Sequence, residues 1–525
     1  MAAPCAARRR TSVDWQARWL LFALPLVASL VHGCSAPTLV SPDAAFETAD
    51  PQALRVGAAA IAITPPLGTF LAGGIPYRPA VHVHDPLWAR AIVLDDGTHR
   101  IALVALDLLG MTYDDVVRIR GEIAESAAVD YVLLAFTHTH SAPDLIGAWA
   151  PQLVHGDTRY RKQVGQAVSD AVVQASATAR PAKLRIAVGD SGTPPLTRDT
   201  RAPDFIDDTL TVWQALDIET EQPLVTVIHY ATHPTLVPSL SWDVSSDFVH
   251  YLREALENGM PGDDGPVDAE GGLCVFFNGA LGGRIAPAHA EPLETNATRD
   301  AAYQCAQGYG YRLARRVQWL LRNQASDLDA ALPLAAASRQ VQVPLENKLI
   351  RLATTLGVIE RAVPDGKVNS EVAIIHLGPI ELFAVPGLIF PELVRGGFGP
   401  IAGSDFPDAA PESPALAELS HSRYFIVIGI ANDMLGDIIP RALWDERPPY
   451  TSRDGAPPYG EVISPGPATA QVLLDAFEVL AVDGGGKVQR RAGEKCSTDG
   501  FRIGSEGRGV EEVEGLVSGR CSEGL

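Results

Sequence analysis

Two uncharged, β-branched runs, Tyr131-Val132-Leu133-Leu134-Ala135-Phe136 and Leu224-Val225-Thr226-Val227-Ile228, set the main constraint on how this chain folds. Neither leaves a polar face for water, so each reads as a strand covered on both sides. Each also leads into a histidine phrase. Thr137-His138-Thr139-His140-Ser141 follows the first run, and Thr232-His233-Pro234-Thr235 lies just beyond the second. In layered α/β domains, reactive groups gather on the loops past strand ends. Neutral imidazole is the commonest protein ligand for a catalytic metal, so a zinc centre is one reading of the paired phrases. Hydrogen-bonded core or loop histidines are the other, and these residues alone leave both open.

The rest of the chain repeats the same alternation. Strands are expected at Arg55 to Ile63, Arg100 to Leu106, Lys183 to Val188, Leu210 to Leu216 and Cys274 to Phe277. More follow at Val341 to Pro344, Val372 to His376, Ile380 to Val385 and Tyr424 to Ile430. Helical periodicity covers Tyr113 to Glu125, Tyr160 to Thr178, Asp300 to Arg322 and Gln471 to Val482. A further helix, Asp247 to Glu257, is expected to be capped by Ser245 and Ser246, whose hydroxyls can accept from first-turn amides. Strands and helices alternate without strict order. That predicts an α/β fold of mixed β-sheets flanked by helices in one large domain, over residues 54–485.

The ends read differently. Arg8, Arg9, Arg10 and Arg18 precede an apolar stretch from Trp19 to Val31, too short to span a bilayer comfortably, which marks residues 1–33 as an export signal. The stretch closes on Val31-His32-Gly33-Cys34, similar to a bacterial lipobox, with Cys34 as the residue to be acylated. The chain is thus expected in the cell envelope as a lipoprotein or, alternatively, secreted. Residues 34–53 read as a tether and 486–525 as a disordered tail, with a small loop that Cys496 and Cys521 could close. Losing residues 1–33 removes four Arg and one Asp, taking the net charge from −21 to −24. Such acidity argues against a nucleic-acid partner and against electrostatic docking on anionic lipid. Membrane contact would come from acylation or from an apolar substrate mouth. The remaining Cys274, Cys305, Cys496 and Cys521 allow disulfides without fixing their pairing. Nothing in the sequence sets the oligomeric state.

Several catalytic signatures are missing: there is no HExxH helix, no GxSxG elbow and no GxxxxGK[ST] phosphate loop. The chain instead resembles the catalytic domain of the neutral, non-lysosomal ceramidases over roughly residues 54 to 485. The resemblance is carried in order by Gly57 to Pro65, Ala89 to Leu94, Thr137-His138-Thr139-His140-Ser141 and His233-Pro234-Thr235. Phe276-Phe277-Asn278-Gly279, Ala384-Val385-Pro386-Gly387 and Gly429-Ile430-Ala431-Asn432-Asp433 complete it.

This resemblance implies a zinc-dependent hydrolase that cleaves an N-acyl lipid such as ceramide into sphingoid base and fatty acid. It implies His138, His233 and Tyr459 as zinc ligands, His140 as the catalytic acid–base beside the activated water, and Asn278 and Gly279 as substrate-binding residues. Two departures stand out. The family's glutamate ligand after Val-Pro-Gly is here Leu388, with Glu392 four residues on as a substitute if the backbone allowed. In Asn278-Gly279-Ala280-Leu281-Gly282-Gly283, Leu281 and Gly283 stand where the family has Asp and Ser. A related hydrolase with another amide or ester substrate, and a metal-free lipid-binding pseudoenzyme, are therefore the alternatives. Asp107 is read as orienting a zinc ligand or capping a turn, His229 as structural, and His82 and His84 as loop residues.

Overall fold

The two apolar runs form strands Tyr131–Phe136 and Pro223–Tyr230, and both belong to one nine-stranded mixed sheet. The computed structural model describes residues 43–151, 158–199, 201, 205–237, 241–260, 266, 268–283, 285–288, 299–399, 401, 403–450, 459–484 and 501–502. The expected signal, Cys34, and Cys496 and Cys521 lie outside these residues.

Across the large sheet the strand order is Leu273–Asn278, Pro223–Tyr230, Thr209–Asp217, Arg180–Asp190, Arg55–Ala62, Trp88–Asp95, Arg100–Leu106 and Tyr131–Phe136, and Ser326–Asp327 adds to Arg180–Asp190. The two outermost pairs are parallel and the pairings between them antiparallel. A second, five-stranded sheet runs Ala45–Glu47, Leu334–Pro344, Lys367–Leu377, Ile380–Ala384 and Tyr424–Ile428.

Side-chain alternation along each strand decides the layers. In Arg100–Leu106 and Tyr131–Phe136, Leu103, Ala105, Leu133 and Ala135 point at the second sheet, where they meet Ile375, Leu382 and Ile428. Val104, Leu106, Leu134 and Phe136 point the other way, into helices Tyr113–Ala127 and Thr158–Thr178. Helices Phe248–Asn258 and Arg299–Asn323 cover the other half of that outer face. Helix Thr469–Gly484 covers the outer face of the small sheet. The result is two mixed sheets face to face with helices outside, as the alternating pattern predicted.

The two edges of the large sheet are bridged by the segment that leaves the small one. After strand Tyr424–Ile428 the chain enters between the two parallel edges. There Gly429 N–H donates to Asn278 O (3.0 Å), Phe136 N–H to Ile430 O (3.2 Å) and Asn432 N–H to Leu134 O (2.7 Å). This insertion brings the two histidine loops to one place.

Three expectations need correction. The segment read as a tether already contributes Ala45–Glu47, paired antiparallel with Ala335 to Ala337. The serines do not cap the helix expected at Asp247 to Glu257: it is Phe248–Asn258 with Asp247 as N-cap, and Ser245 and Ser246 bond Asp85 instead. Within the segment read as tail, Phe501–Arg502 pairs with Ile206–Asp207. Cys274 and Cys305 are not joined in a disulfide.

Candidate metal centre

His138, His140 and His233 converge at the strand ends. Their ring centroids are 5.1 Å (His138 to His140), 5.3 Å (His138 to His233) and 6.3 Å (His140 to His233) apart. His138 takes a left-handed backbone conformation (φ 66°) just past its strand. That strained turn is held because His138 N–H donates to Leu108 O (2.9 Å) and Thr137 N–H to Leu106 O (2.9 Å).

The backbone also fixes the ring tautomers. Nδ1 of His138 faces Leu109 O at 2.8 Å, and Nδ1 of His233 faces Ile285 O. A carbonyl only accepts, so both Nδ1 atoms carry the proton and both Nε2 lone pairs are left available. Burial, then the neighbouring His140 and His233, holds His138 well below the ordinary imidazole pKa. Burial likewise takes His233 down to about 4. His140 falls to about 3 through burial, then His233 and Arg78. All three rings are neutral at physiological pH. Nε2 of His140 is buried with no hydrogen-bond partner.

This donor set suits zinc in part. Neutral, backbone-anchored imidazoles are the second-sphere arrangement that ligating histidines usually show. Among the described residues, however, no three His, Cys, Asp or Glu side chains form a metal-holding group. Tyr459 is the further ligand that the family resemblance implies. Tyr459 is 52% exposed and begins the short helix Gly460–Ile463. The next residue, Gly460, packs on the Asp437 carboxylate, which accepts from Gly283 N–H (3.3 Å) two residues before the His233 anchor Ile285.

The departures have physical counterparts. Leu388 is buried beside Leu281, Ile285 and Ile430 and offers no donor. Glu392 does not replace it: the short helix there starts only at Pro391, and the Glu392 carboxylate accepts from Arg201 Nη2 at 2.9 Å. Arg201 is also gripped by Asp199 and stacks over Phe390 at 4.4 Å. A Cβ at Gly283, whose φ is +80°, would lie 2.5 Å from the Arg201 Cζ, so the family's serine would strain this turn and require the guanidinium to move.

Asn278 is fully buried and braces the two histidine loops. Its Nδ2 donates to Thr137 O (2.6 Å), and its Oδ1 lies 3.5 Å from Thr232 N. Gly279 serves packing as well: a Cβ there would sit 2.9 Å from Nε2 of His229. His229 is structural, its Nε2 bonded to Val427 O at 2.6 Å. Asp107 bonds none of the three clustered histidine rings; it pairs with Arg253 (2.9 and 3.0 Å) and accepts from Thr137 Oγ1. His84 stacks flat on Tyr303 at 3.4 Å, and His82 lies against Asp243.

Two residues that sequence reasoning missed shape His140. A Cβ at Gly73 would lie 2.6 Å from its Cγ, so only glycine lets this loop lie on the ring. Arg78, fully buried, gathers the carbonyls of Ala72 (2.7 Å), Gly73, His140 (2.9 Å) and Ser241 (2.5 Å). Burial lowers its pKa to about 10. The Gly73-Gly74 pair was the one visible signal; an arginine in a loop reads as a surface residue.

The fold is that of the neutral ceramidases, as the sequence resemblance implied. A neutral ceramidase from Pseudomonas aeruginosa aligns over 83% of this chain and 75% of its own, with a TM-score of 0.61 and 16% sequence identity. A ceramidase complexed with C2 aligns over 82% and 75%, with a TM-score of 0.57 and 14% identity. No protein-family model matches the chain, and no curated protein matches it.

Proposed function

We propose that this chain, folded as a neutral ceramidase, is an exported zinc-dependent amidase that cleaves an N-acyl lipid such as ceramide into sphingoid base and fatty acid. The observation that carries this reading is the buried cluster of three neutral imidazoles, two of them anchored through Nδ1 with Nε2 left to bind. His138 and His233 hold the metal, and Tyr459 supplies the third protein donor. Zinc supplies Lewis acidity and water of lowered pKa, which an unreactive amide requires. His140 accepts a proton from the attacking water at its unpartnered Nε2 and returns it to the leaving amine. Arg78 and Gly73 keep that ring in place. Export follows from residues 1–33, and acylation at Cys34 would anchor the protein to the envelope.

Leu388 favours a second reading, a metal-free lipid-binding protein, because its burial among apolar side chains removes a ligand, and among the described residues no carboxylate joins the histidines in its place. Arg201 above Gly283 favours a third, a related hydrolase of another amide or ester. One experiment separates them. The purified full chain, supplied with zinc and dialysed, is analysed for metal and assayed on a short-chain fluorescent ceramide. About one zinc per chain with release of fatty acid is expected. Zinc without turnover points to another substrate, and absence of zinc sinks the catalytic reading.

A further inference from the structure

Helix Lys348–Thr355 carries its apolar residues on the wrong side for a core-packed helix. Leu349, Leu352 and its C-cap Leu356 are 63%, 55% and 51% exposed. At about 100° per residue the three fall within an arc of roughly 60°. Half-buried Ile350 turns inward, against the core beneath helix Thr469–Gly484. A surface helix ordinarily does the reverse.

The orientation is built in. Asn347 caps the helix, its Oδ1 accepting from Leu349 N–H (2.9 Å) and Ile350 N–H (3.1 Å). Its Nδ2 donates to the carbonyls of Glu461 (3.1 Å), Val462 (3.0 Å) and Ser464 (3.0 Å). The stripe is thereby locked beside the helix that Tyr459 begins, where Val462 is also exposed. At its other end, the Val358 carbonyl packs directly on Gly147, seven residues after His140. From there Trp149 O accepts from the N–H of exposed Tyr77 (2.8 Å), on the loop that lies against His140. Isolated surface leucines need no explanation, but an aligned set continuous with the rim of a lipid-cleaving site does.

We propose that this stripe is a membrane-docking surface, which seats in the headgroup–acyl boundary of a zwitterionic, phosphatidylcholine-type bilayer. This rests on the N-acyl lipid reading above. The helix carries Lys348 and Arg351 and no acid, an exception in a chain of net charge −21. That overall charge opposes anionic bilayers, so apolar insertion supplies the binding.

The test uses the full chain with Cys34→Ser, so that no acyl group contributes, compared with the same chain carrying Leu349→Gln, Leu352→Gln and Leu356→Gln. Flotation with phosphatidylcholine vesicles should show partitioning at least tenfold weaker in the triple variant, with an unchanged melting temperature. Hydrolysis of vesicle-embedded substrate should fall about tenfold, while a water-soluble short-chain substrate changes less than twofold. A separate Leu352→Trp variant should show added emission quenched by brominated phosphatidylcholine. Equal partitioning of the two chains and no added quenching would overturn the proposal. So would a sedimenting dimer that the triple substitution dissociates without any vesicle effect, because the stripe would then join two copies. Vesicle binding lost in the triple variant, with neither chain hydrolysing any N-acyl lipid, would keep the docking surface and refute the catalytic reading.

Discussion

Asn278 donates its side-chain amide to the carbonyl of Thr137, 2.6 Å away, and so ties one edge of the nine-stranded sheet to the residue before His138. The same side chain approaches Thr232, the residue before His233. One buried amide therefore sets the spacing of the two proposed ligands.

Replacing Asn278 with Ala should leave the Thr137 carbonyl buried and unpaired, a loss of roughly 1–3 kcal/mol. Urea unfolding would measure it. Zinc affinity should weaken together with stability, since both loops depend on the brace. A variant that lost stability but bound zinc as wild type would show that the loops keep their spacing unaided.

The pair His138 and His140 should fail in different ways. A ligand lost removes the metal, whereas a lost general base leaves it bound and slows proton transfer by about 10²–10⁴-fold. His138→Ala and His233→Ala are expected to lose both zinc and activity. His140→Ala should keep near-normal zinc by elemental analysis and lose most turnover of a short-chain fluorescent ceramide. If it loses zinc as fully as His138→Ala, both imidazoles are ligands.

How far the sequence foretold this arrangement depends on the range of the interaction. Dense apolar runs have little choice, so Tyr131–Phe136, Pro223–Tyr230 and helix Arg299–Asn323 fall within a residue or two of expectation. The convergence of His138 and His233 was legible because both follow buried strands. Long-range pairing was not. Ala45–Glu47 reads as polar tether because its partner, Ala335 to Ala337, lies almost 300 residues away. Glu392 looked available to a metal until Arg201, from a distant loop, met it. Arg78 gave no sign of its role because it bonds only backbone carbonyls, which no side-chain motif records.

Acid should weaken the fold through His229. Burial lowers its pKa to about 4, against 6.5 when unfolded. Its ring is neutral in the folded state, so the unfolded chain binds the proton first as pH falls. The contribution is complete above pH 6.5, declines between 6.5 and about 4, and is worth roughly 3 kcal/mol across that window. The metal-free site histidines add slope of the same sign, so His229 is isolated by difference. His229→Gln, which can still donate to Val427 O, should flatten the pH dependence of urea unfolding relative to wild type. An identical slope in both proteins would show that His229 titrates normally.

Leu388 offers the most direct test of the ligand set. Its neighbours Leu281, Ile285 and Ile430 are fully or almost fully buried. A carboxylate introduced there lacks any partner in the metal-free protein, so Leu388→Glu should lower the melting temperature when zinc is withheld. If position 388 faces the metal as it does in the family, the added donor brings the site to the complete set, and zinc should restore the melting temperature. Zinc affinity, measured by competition with a chelator, should then rise at least tenfold over wild type. Leu388→Gln separates charge from shape: it should destabilise similarly and gain no affinity. Should Leu388→Glu bind zinc no better than wild type, side chain 388 points away from the histidines, and the site holds its metal through His138, His233 and Tyr459 without reference to that position.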